Sequence, residues 1–145
     1  MKIALGCDHA AYNLKVEIIK HLKELGHTIF DCGAYSEESV DYPSFGAEVG
    51  RKVASKEADL GIICCGSGEG ISIACNKIKG IRCGIGYNDE VSGLIRKHND
   101  ANVISFGARF MAVEDVLRRV DIFLTAEFEG GRHERRVKQI EELEK

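Results

Sequence analysis

The segment Ala58 to Gly80, ADLGIICCGSGEGISIACNKIKG, constrains the fold of this chain more than any other stretch. Leu60 to Cys65 is a short continuous apolar run, which is typical of a strand buried on both faces of a parallel sheet. Gly66 to Gly70 contains three glycines in five residues, and such a run lets the backbone turn sharply and approach a ligand closely. Ile71 to Ile78 then predicts a helix. The pattern is therefore a strand, a glycine loop and a helix N-terminus.

Free backbone N–H groups at a helix N-terminus, together with the helix dipole, can hold a phosphate, a carboxylate or a developing oxyanion. Cys65 stands at the entrance of the loop, where the dipole favours a thiolate that could act as a base or nucleophile. Cys64 points to the other face of the strand and is expected to serve packing. A tight turn without a ligand is the alternative for the loop.

Three common phosphate-binding motifs do not fit this loop. No Gly-Lys-Ser/Thr follows it, as a Walker A loop would require, and its glycines do not have the GxGxxG spacing of a dinucleotide site. A phosphatase-type loop would have an arginine where Ile71 stands. The loop therefore predicts an anion site of another kind.

The rest of the chain alternates strands with helices. Further strands are predicted at Lys2–Cys7, His27–Cys32, Ile81–Gly86 and Asn102–Phe106, and helices at Asn13–Leu25, Pro43–Ser55, Asn88–His98, Val113–Phe128 and Arg132–Lys145. This alternation predicts a single α/β domain over residues 1–145, a doubly wound (Rossmann-like) five-stranded parallel sheet of order 2-1-3-4-5. Helices cover both faces, and a charged C-terminal helix follows.

The predicted sheet brings two polar clusters together. The chain reverses direction between strands 1 and 3, and ligands of such sheets bind at the carboxyl ends of the strands beside that reversal. Asp8 and His9 follow strand 1, and the glycine loop follows strand 3. We therefore expect them to line one crevice with Cys65.

Composition excludes several classes of partner. A net charge of −3 provides no general attraction to nucleic acid or acidic membranes. No signal-peptide core or membrane span is evident, so we expect a cytoplasmic protein without a membrane partner. The six cysteines lie mostly in apolar runs, which suits reduced thiols. Neither CxxC nor HExxH occurs, so a metal site has little support.

Other polar residues leave alternatives open. His98 and Asn99 close the fourth helix, where a helix cap and a functional role are equally consistent with the sequence. Arg109 follows strand 5, and Arg132 and Arg136 lie four residues apart on one face of the last helix. A solvated charged face is the default for these arginines, and a bidentate grip on a phosphate is the alternative.

Six ordered motifs, GCDHAAY, SVDYP, CGSGEGISIACNK, HNDAN, FGAR and EGGRHERR, cover nearly the whole chain. Together they resemble the ribose-5-phosphate isomerase B family, which includes galactose-6-phosphate and allose-6-phosphate isomerases. The resemblance implies a doubly wound fold, a homodimer or dimer of dimers, and no metal or other cofactor. It also implies aldose–ketose isomerisation of a small sugar phosphate, with ribose 5-phosphate and ribulose 5-phosphate as the expected pair.

The resemblance also implies roles for single residues. By similarity, Cys65 is the base and His98 the acid that opens the sugar ring. The sugar and its enediolate would be held by Asp8, His9, Gly66, Ser67, Gly68, Glu69, Gly70 and Asn99, and the phosphate by Arg109, Arg132 and Arg136. Glu69 departs from the family pattern, because it places a carboxylate where an apolar residue is common.

The expected fold separates the two proposed catalytic residues. His98 ends a helix that runs antiparallel to the strands, so it should lie near their amino ends, whereas Cys65 lies at a carboxyl end. A strand of this length spans roughly 17 to 20 Å. If both residues are catalytic, we expect His98 to come from a partner subunit, so that active sites are shared between chains.

Three other functions remain open at this stage. An isomerase of a six-carbon sugar phosphate would use the same residues. A non-catalytic sensor of sugar phosphates or nucleotides would keep the loop and the arginines without needing Cys65 or His98. A cysteine-based acyl or redox enzyme is the third, although the sequence reveals no resolving cysteine.

Overall fold

A computed structural model describes all 145 residues of the chain. Every predicted strand and helix is present. At most of their ends, the observed bounds differ from the predicted ones by a few residues. The strands are β1 (Lys2–Cys7), β2 (Thr28–Asp31), β3 (Leu60–Cys65), β4 (Cys83–Ile85) and β5 (Val103–Gly107). The helices are α1 (Tyr12–Glu24), α2 (Tyr42–Ala54), α3 (Glu69–Asn76), α4 (Asp89–Lys97), α5 (Val113–Thr125) and α6 (Arg132–Glu142), with a short 3-10 helix at His9–Ala11.

The sheet is fully parallel, which confirms the doubly wound α/β fold, but its order is β2-β1-β3-β5-β4. The predicted order 2-1-3-4-5 is therefore wrong at one end, since β5 lies between β3 and β4. Burial gives the physical reason. All five residues of β5 are buried, whereas the three residues of β4 are only partly buried. The more apolar strand occupies the interior, and the short strand forms the edge.

The corrected order changes which helices share a face. The connection from β4 to β5 crosses the sheet in the opposite direction to the connection from β3 to β4. Because both crossovers are right-handed, α4 lies on the opposite face from α3, the face that holds α1 and α5. One core contains Ile18, Ile95 and Phe123 from these three helices. The other core, on the opposite face, contains Val49 of α2 and Ile71 of α3.

The C-terminal helix α6 is weakly embedded in its own chain. Val137 is its only buried residue. In its last turn, Glu141 lies 3.4 Å from Arg82. Beyond the helix, both carboxylate oxygens of Glu144 accept the N–H of Gly80 at 3.0 Å. These contacts hold the far end of α6 and leave its first turns exposed.

Two further expectations concern cysteines and membranes. The six cysteines are all unpaired, as the sequence predicted. Burial raises the pKa of the Cys64 thiol well above its ordinary value, which supports a packing role for this residue. None of the helices combines the length and apolar character needed to span a bilayer.

A pair of matched substitutions tests the strand order. Ile104 of β5 is fully buried, so Ile104→Ala should lower the free energy of unfolding by about 2–5 kcal/mol. Ile85 of β4 is only partly buried, and Ile85→Ala should cost about 1 kcal/mol, because less apolar area is lost. Urea denaturation of both variants measures the difference. A larger loss for Ile85→Ala would contradict the central position of β5.

Candidate active site

The glycine loop is held tightly against the next strand of the sheet. Gly68 has φ +82, and a Cβ there would lie 2.9 Å from the carbonyl carbon of Phe106. Both the left-handed conformation and the close backbone contact require glycine. The N–H of Gly68 points back at Cys65 and donates to its Sγ at 3.2 Å. The loop thereby aims a backbone donor at the thiol.

Ser105 supports the loop from below. It is fully buried in β5, and its Oγ donates to the Gly68 carbonyl at 2.7 Å. Gly107, at the end of the same strand, contacts the backbone of Ser67 so closely that a side chain would not fit. These contacts exist only because β5 neighbours β3. The sequence interpretation missed Ser105, although a polar residue inside the apolar run VISFG was an available signal.

Several backbone amides of the loop remain free. The amide of Gly68 is used by Cys65, and that of Glu69 donates to the Ser67 Oγ at 3.2 Å. Three other amides have no acceptor within the chain, those of Gly66, Ser67 and Gly70. N–H groups at a helix N-terminus bind anions well. The loop is therefore built to receive a negatively charged oxygen beside a thiol.

Asp8 and His9 lie beside this loop, as the predicted topology required. Asp8 is largely buried, and its N–H donates to the carbonyl of Cys64 at 3.2 Å. Its Oδ1 accepts the N–H of Ala11 at 3.2 Å, which starts the 3-10 helix and leaves Oδ2 available. His9 accepts the N–H of Val40 through Nδ1 at 3.1 Å.

Two more side chains border the loop. The backbone N–H of Arg109 donates to the Gly66 carbonyl at 3.0 Å. The Arg109 side chain covers Gly66, where a Cβ would lie 3.0 Å from Nη1. The phenol of Tyr42 covers Gly70, where a Cβ would lie 2.7 Å from its hydroxyl. Tyr42 belongs to the motif SVDYP, but the sequence interpretation assigned it no role. Both side chains belong to the group around Cys65.

Glu69 does not fill the loop with its carboxylate. The residue is exposed in the first turn of α3. A carboxylate at this position interacts favourably with the helix dipole. A glutamate at position 69 is therefore compatible with free amides in the loop.

His98 and Asn99 lie at the opposite end of the strands from Cys65. Arg82, which immediately precedes β4, donates through Nε to the carbonyls of Asn99 at 3.2 Å and Asp100 at 3.0 Å. These residues are therefore near the amino ends of the strands, whereas Cys65 is at a carboxyl end. The six residues of β3 span about 20 Å.

His98 is surrounded by residues of the motif EGGRHERR. Its ring stacks on that of His133, with centroids 4.2 Å apart and planes inclined by 11°. The Glu129 Oε1 lies 3.6 Å from the His98 Nε2 and 3.9 Å from the His133 Nε2. Burial, followed by the charges of His98 and Arg132, lowers the pKa of His133. The motif contributes to the family resemblance, but the sequence alone indicated no role for His133 or Glu129.

The same three side chains form the one cluster in the chain with enough donors for a metal ion. Their ligand atoms lie within 4.8 Å of one another. The two imidazoles are nearly parallel, however, and an ion in the plane of one ring would lie outside the plane of the other. The lone pairs do not converge, so this arrangement is unsuited to a shared ion.

The predicted site residues thus form two separate groups. The first surrounds Cys65 and includes Asp8, His9, the loop Gly66–Gly70 and Arg109. The second surrounds His98 and includes Asn99, with Arg132 and Arg136 exposed on α6 next to His133. A single chain does not bring the two groups together.

Comparison with known proteins identifies the family. The family model described as Ribose/Galactose Isomerase matches residues 3–140. The chain belongs to this family. It is 46% identical over 143 residues to ribose-5-phosphate isomerase B of Escherichia coli K12, which covers 99% of this chain and 96% of that protein. The family resemblance seen in the motifs is therefore confirmed.

Solved structures support the same assignment to the ribose/galactose isomerase family. Ribose-5-phosphate isomerase B of Clostridium thermocellum superposes with a TM-score of 0.98 at 49% identity, covering 99% of this chain and 97% of that one. Ribose-5-phosphate isomerase B of Mycoplasma genitalium with bound ribulose-5-phosphate superposes with a TM-score of 0.95 at 38% identity, covering 99% of this chain and 95% of that one. The roles of individual residues stay predictions.

A matched pair of glycine substitutions tests the loop contact. Gly68 and Gly130 both have positive φ, at +82 and +68, but no atom lies within 4 Å of a Cβ on Gly130. Gly130→Ala should cost about 1–2 kcal/mol of stability from the backbone conformation alone. Gly68→Ala should cost about 1–3 kcal/mol more, because its Cβ meets the backbone of β5. Equal losses in urea denaturation would contradict the packing described here.

Proposed function

We propose that the protein is a metal-independent aldose–ketose isomerase that interconverts ribose 5-phosphate and ribulose 5-phosphate through an enediolate. The observation that carries this proposal is the thiol of Cys65 beside a loop with three amides that have no acceptor in the chain. Moving a carbonyl from C1 to C2 of a sugar requires a base and donors for an oxyanion. Family membership supports the substrate.

In this mechanism the Cys65 thiolate removes the proton from C2 of the open-chain aldose. The electron pair of the broken C–H bond forms the enediolate, whose oxygen is stabilised by the free loop amides. The O2 hydroxyl proton passes to O1, and the thiol returns to C1 the proton that it took from C2. The carbonyl is thereby re-formed at C2, which yields the ketose. The N–H of Gly68, 3.2 Å from Sγ, stabilises the thiolate between turnovers. Asp8 and His9 border the loop and would orient the sugar hydroxyls.

The phosphate and the ring-opening step need the second group of residues. Sugar phosphates are largely cyclic, and an acid must protonate the ring oxygen before C2 becomes accessible to the base. His98 would supply this proton, and the Glu129 carboxylate lies 3.6 Å from its Nε2. Arg132 and Arg136 offer the bidentate guanidinium groups that suit a phosphate.

A homodimer with shared sites would unite the two groups. In an isologous pair, each site would combine Cys65, Asp8, His9 and Arg109 of one chain with His98, Asn99, Arg132 and Arg136 of the other. The exposed first turns of α6 support this arrangement, because α6 buries only Val137 in its own chain. Phe110 and Tyr87, 78% and 62% exposed at the Cys65 edge, are suitable contacts for a partner.

The six unpaired cysteines support a reducing, cytoplasmic setting. A six-carbon sugar phosphate is the alternative substrate, since the family description includes galactose isomerases. Both substrates would use the same residues.

Turnover of ribose 5-phosphate by purified protein tests the proposal. We expect activity in the presence of EDTA, because no step requires a metal ion. Cys65→Ala should lower kcat by about 10²–10⁴-fold with little change in KM, since a general base acts on the barrier.

Cys64→Ala is the matched control, because the Cys64 thiol is buried in the core and should leave turnover close to normal. Near-normal activity in the Cys65→Ala variant would show that another group moves the proton, with Glu69 as the next candidate. Activity lost in EDTA and restored by a divalent cation would refute the metal-free mechanism. Binding without turnover by the native chain would favour a sensor.

The two arginines of α6 give a separate prediction. Arg132→Ala and Arg136→Ala should each raise KM by about tenfold or more, because each removes a charge-assisted bond to the phosphate. Lys138→Ala removes an equal charge from another face of the helix, where Lys138 contacts Glu134, and should leave KM unchanged. Steady-state kinetics on the three variants measures this. Unchanged KM in both arginine variants would return them to a solvated surface role.

A further inference from the structure

The hydrogen bond between Val40 and His9 determines how His9 can meet a ligand. The Val40 amide can only donate, so the His9 Nδ1, at 3.1 Å, must carry the lone pair. In a neutral imidazole the proton is then on Nε2. Nε2 has no hydrogen-bond partner within the chain. The imidazole is therefore free to donate one hydrogen bond from Nε2 to a ligand.

The segment that carries Val40 is anchored at its start by a buried lysine. Lys15 is 1% exposed, and its Nζ donates to the Asp31 Oδ1 at 2.5 Å and to the Ala34 carbonyl at 2.6 Å. A lysine is seldom buried unless its charge is paired. The same carboxylate oxygen accepts the N–H of Gly33 at 3.0 Å, so one ion pair, with its lysine buried and its aspartate partly exposed, organises the start of the segment.

The anchor is continuous with the site. The N–H of Ala34 donates to the Cys7 carbonyl at 2.8 Å, and the Cys7 N–H donates to the Gly33 carbonyl at 2.7 Å. Cys7 immediately precedes Asp8 and His9. Residues 35–39 are exposed, and the segment returns to the protein where the Val40 amide meets His9. The two attachments of this segment are therefore to Cys7, the last residue of β1, and to His9, two residues later.

We propose that Val40 and Lys15 are positioning residues for the isomerase reaction. The Val40 amide holds His9 as the neutral Nε2–H tautomer, and the Lys15–Asp31 ion pair holds the segment that presents this amide. His9 then binds an oxygen of the substrate as a neutral donor, because a proton on Nδ1 would oppose the Val40 N–H. The identity of the substrate rests on the proposed function, whereas the tautomer does not.

Nuclear magnetic resonance of the ligand-free native protein tests the tautomer directly. With labelled nitrogen, we expect a scalar coupling through the hydrogen bond between the Val40 amide nitrogen and the His9 Nδ1, and a proton bound to Nε2. His9→Gln identifies the signals among the five histidines. A proton on Nδ1 at neutral pH would overturn the inference even if the protein isomerises ribose 5-phosphate. Conversely, absent turnover would overturn the proposed function and leave the tautomer result standing.

A matched pair of variants tests the consequence for catalysis. Val40→Pro removes the amide donor, and we expect kcat/KM to fall about tenfold, the effect of one lost hydrogen bond. Val40→Ala keeps the amide and should remain within about twofold of the native value. A folded Val40→Pro protein with native kcat/KM would overturn the positioning role.

Lys15→Met provides a second, independent variant if proline prevents folding. We expect the coupling between Val40 and His9 to weaken or vanish and kcat/KM to fall, whereas Lys20→Met, an exposed site on the same helix, should change neither. A purely structural role for Lys15 would lower the melting temperature alone. Retention of both the coupling and native kcat/KM in Lys15→Met would overturn the role of the ion pair.

Discussion

The contact between Gly68 and the backbone of β5 is the constraint on which the site depends. Gly68 is in the left-handed conformation and touches Phe106 and Gly107, and the buried Ser105 hydroxyl holds its carbonyl at 2.7 Å. This contact directs the Gly68 N–H at Cys65 and leaves three neighbouring amides unpaired. The thiol and the free amides are thus fixed by the sheet itself rather than by a flexible loop. Preorganised donors of this kind lower barriers more effectively than donors that must reorient.

The sequence predicted the parts of the fold that depend on strong local patterns. The bounds of β1 and β3 match because both are short apolar runs bounded by polar or glycine-rich segments. The crevice that contains Asp8, His9 and Cys65 was also predicted, since it depends only on the reversal between β1 and β3. The order of β4 and β5 was not, because it depends on a comparison of two weak strands. The relevant signal was the difference in apolar character between the two segments. The β4 segment IRCGIG contains Arg82 and two glycines, whereas the β5 segment NVISF contains neither a charge nor a glycine.

The residues that sequence reasoning missed act through contacts between distant segments. Lys15 is indistinguishable by pattern from a solvated lysine on α1, yet its side chain is buried and pairs with Asp31. Ser105 reaches Gly68 only because β5 neighbours β3. His133 stacks on His98 across two helices. No local periodicity encodes such contacts. Family motifs nevertheless lie near all three residues: GCDHAAY precedes Lys15, FGAR directly follows Ser105, and EGGRHERR contains His133.

The central claim is that each site is completed by a second chain, since Cys65 and His98 lie at opposite ends of the parallel strands. The most direct test mixes inactive Cys65→Ala and His98→Ala chains in equal amounts under conditions that exchange subunits. Random pairing makes half of the dimers mixed, and each mixed dimer has one intact site of two, so about a quarter of native activity should return. Subunit exchange without any recovered turnover would contradict the shared site.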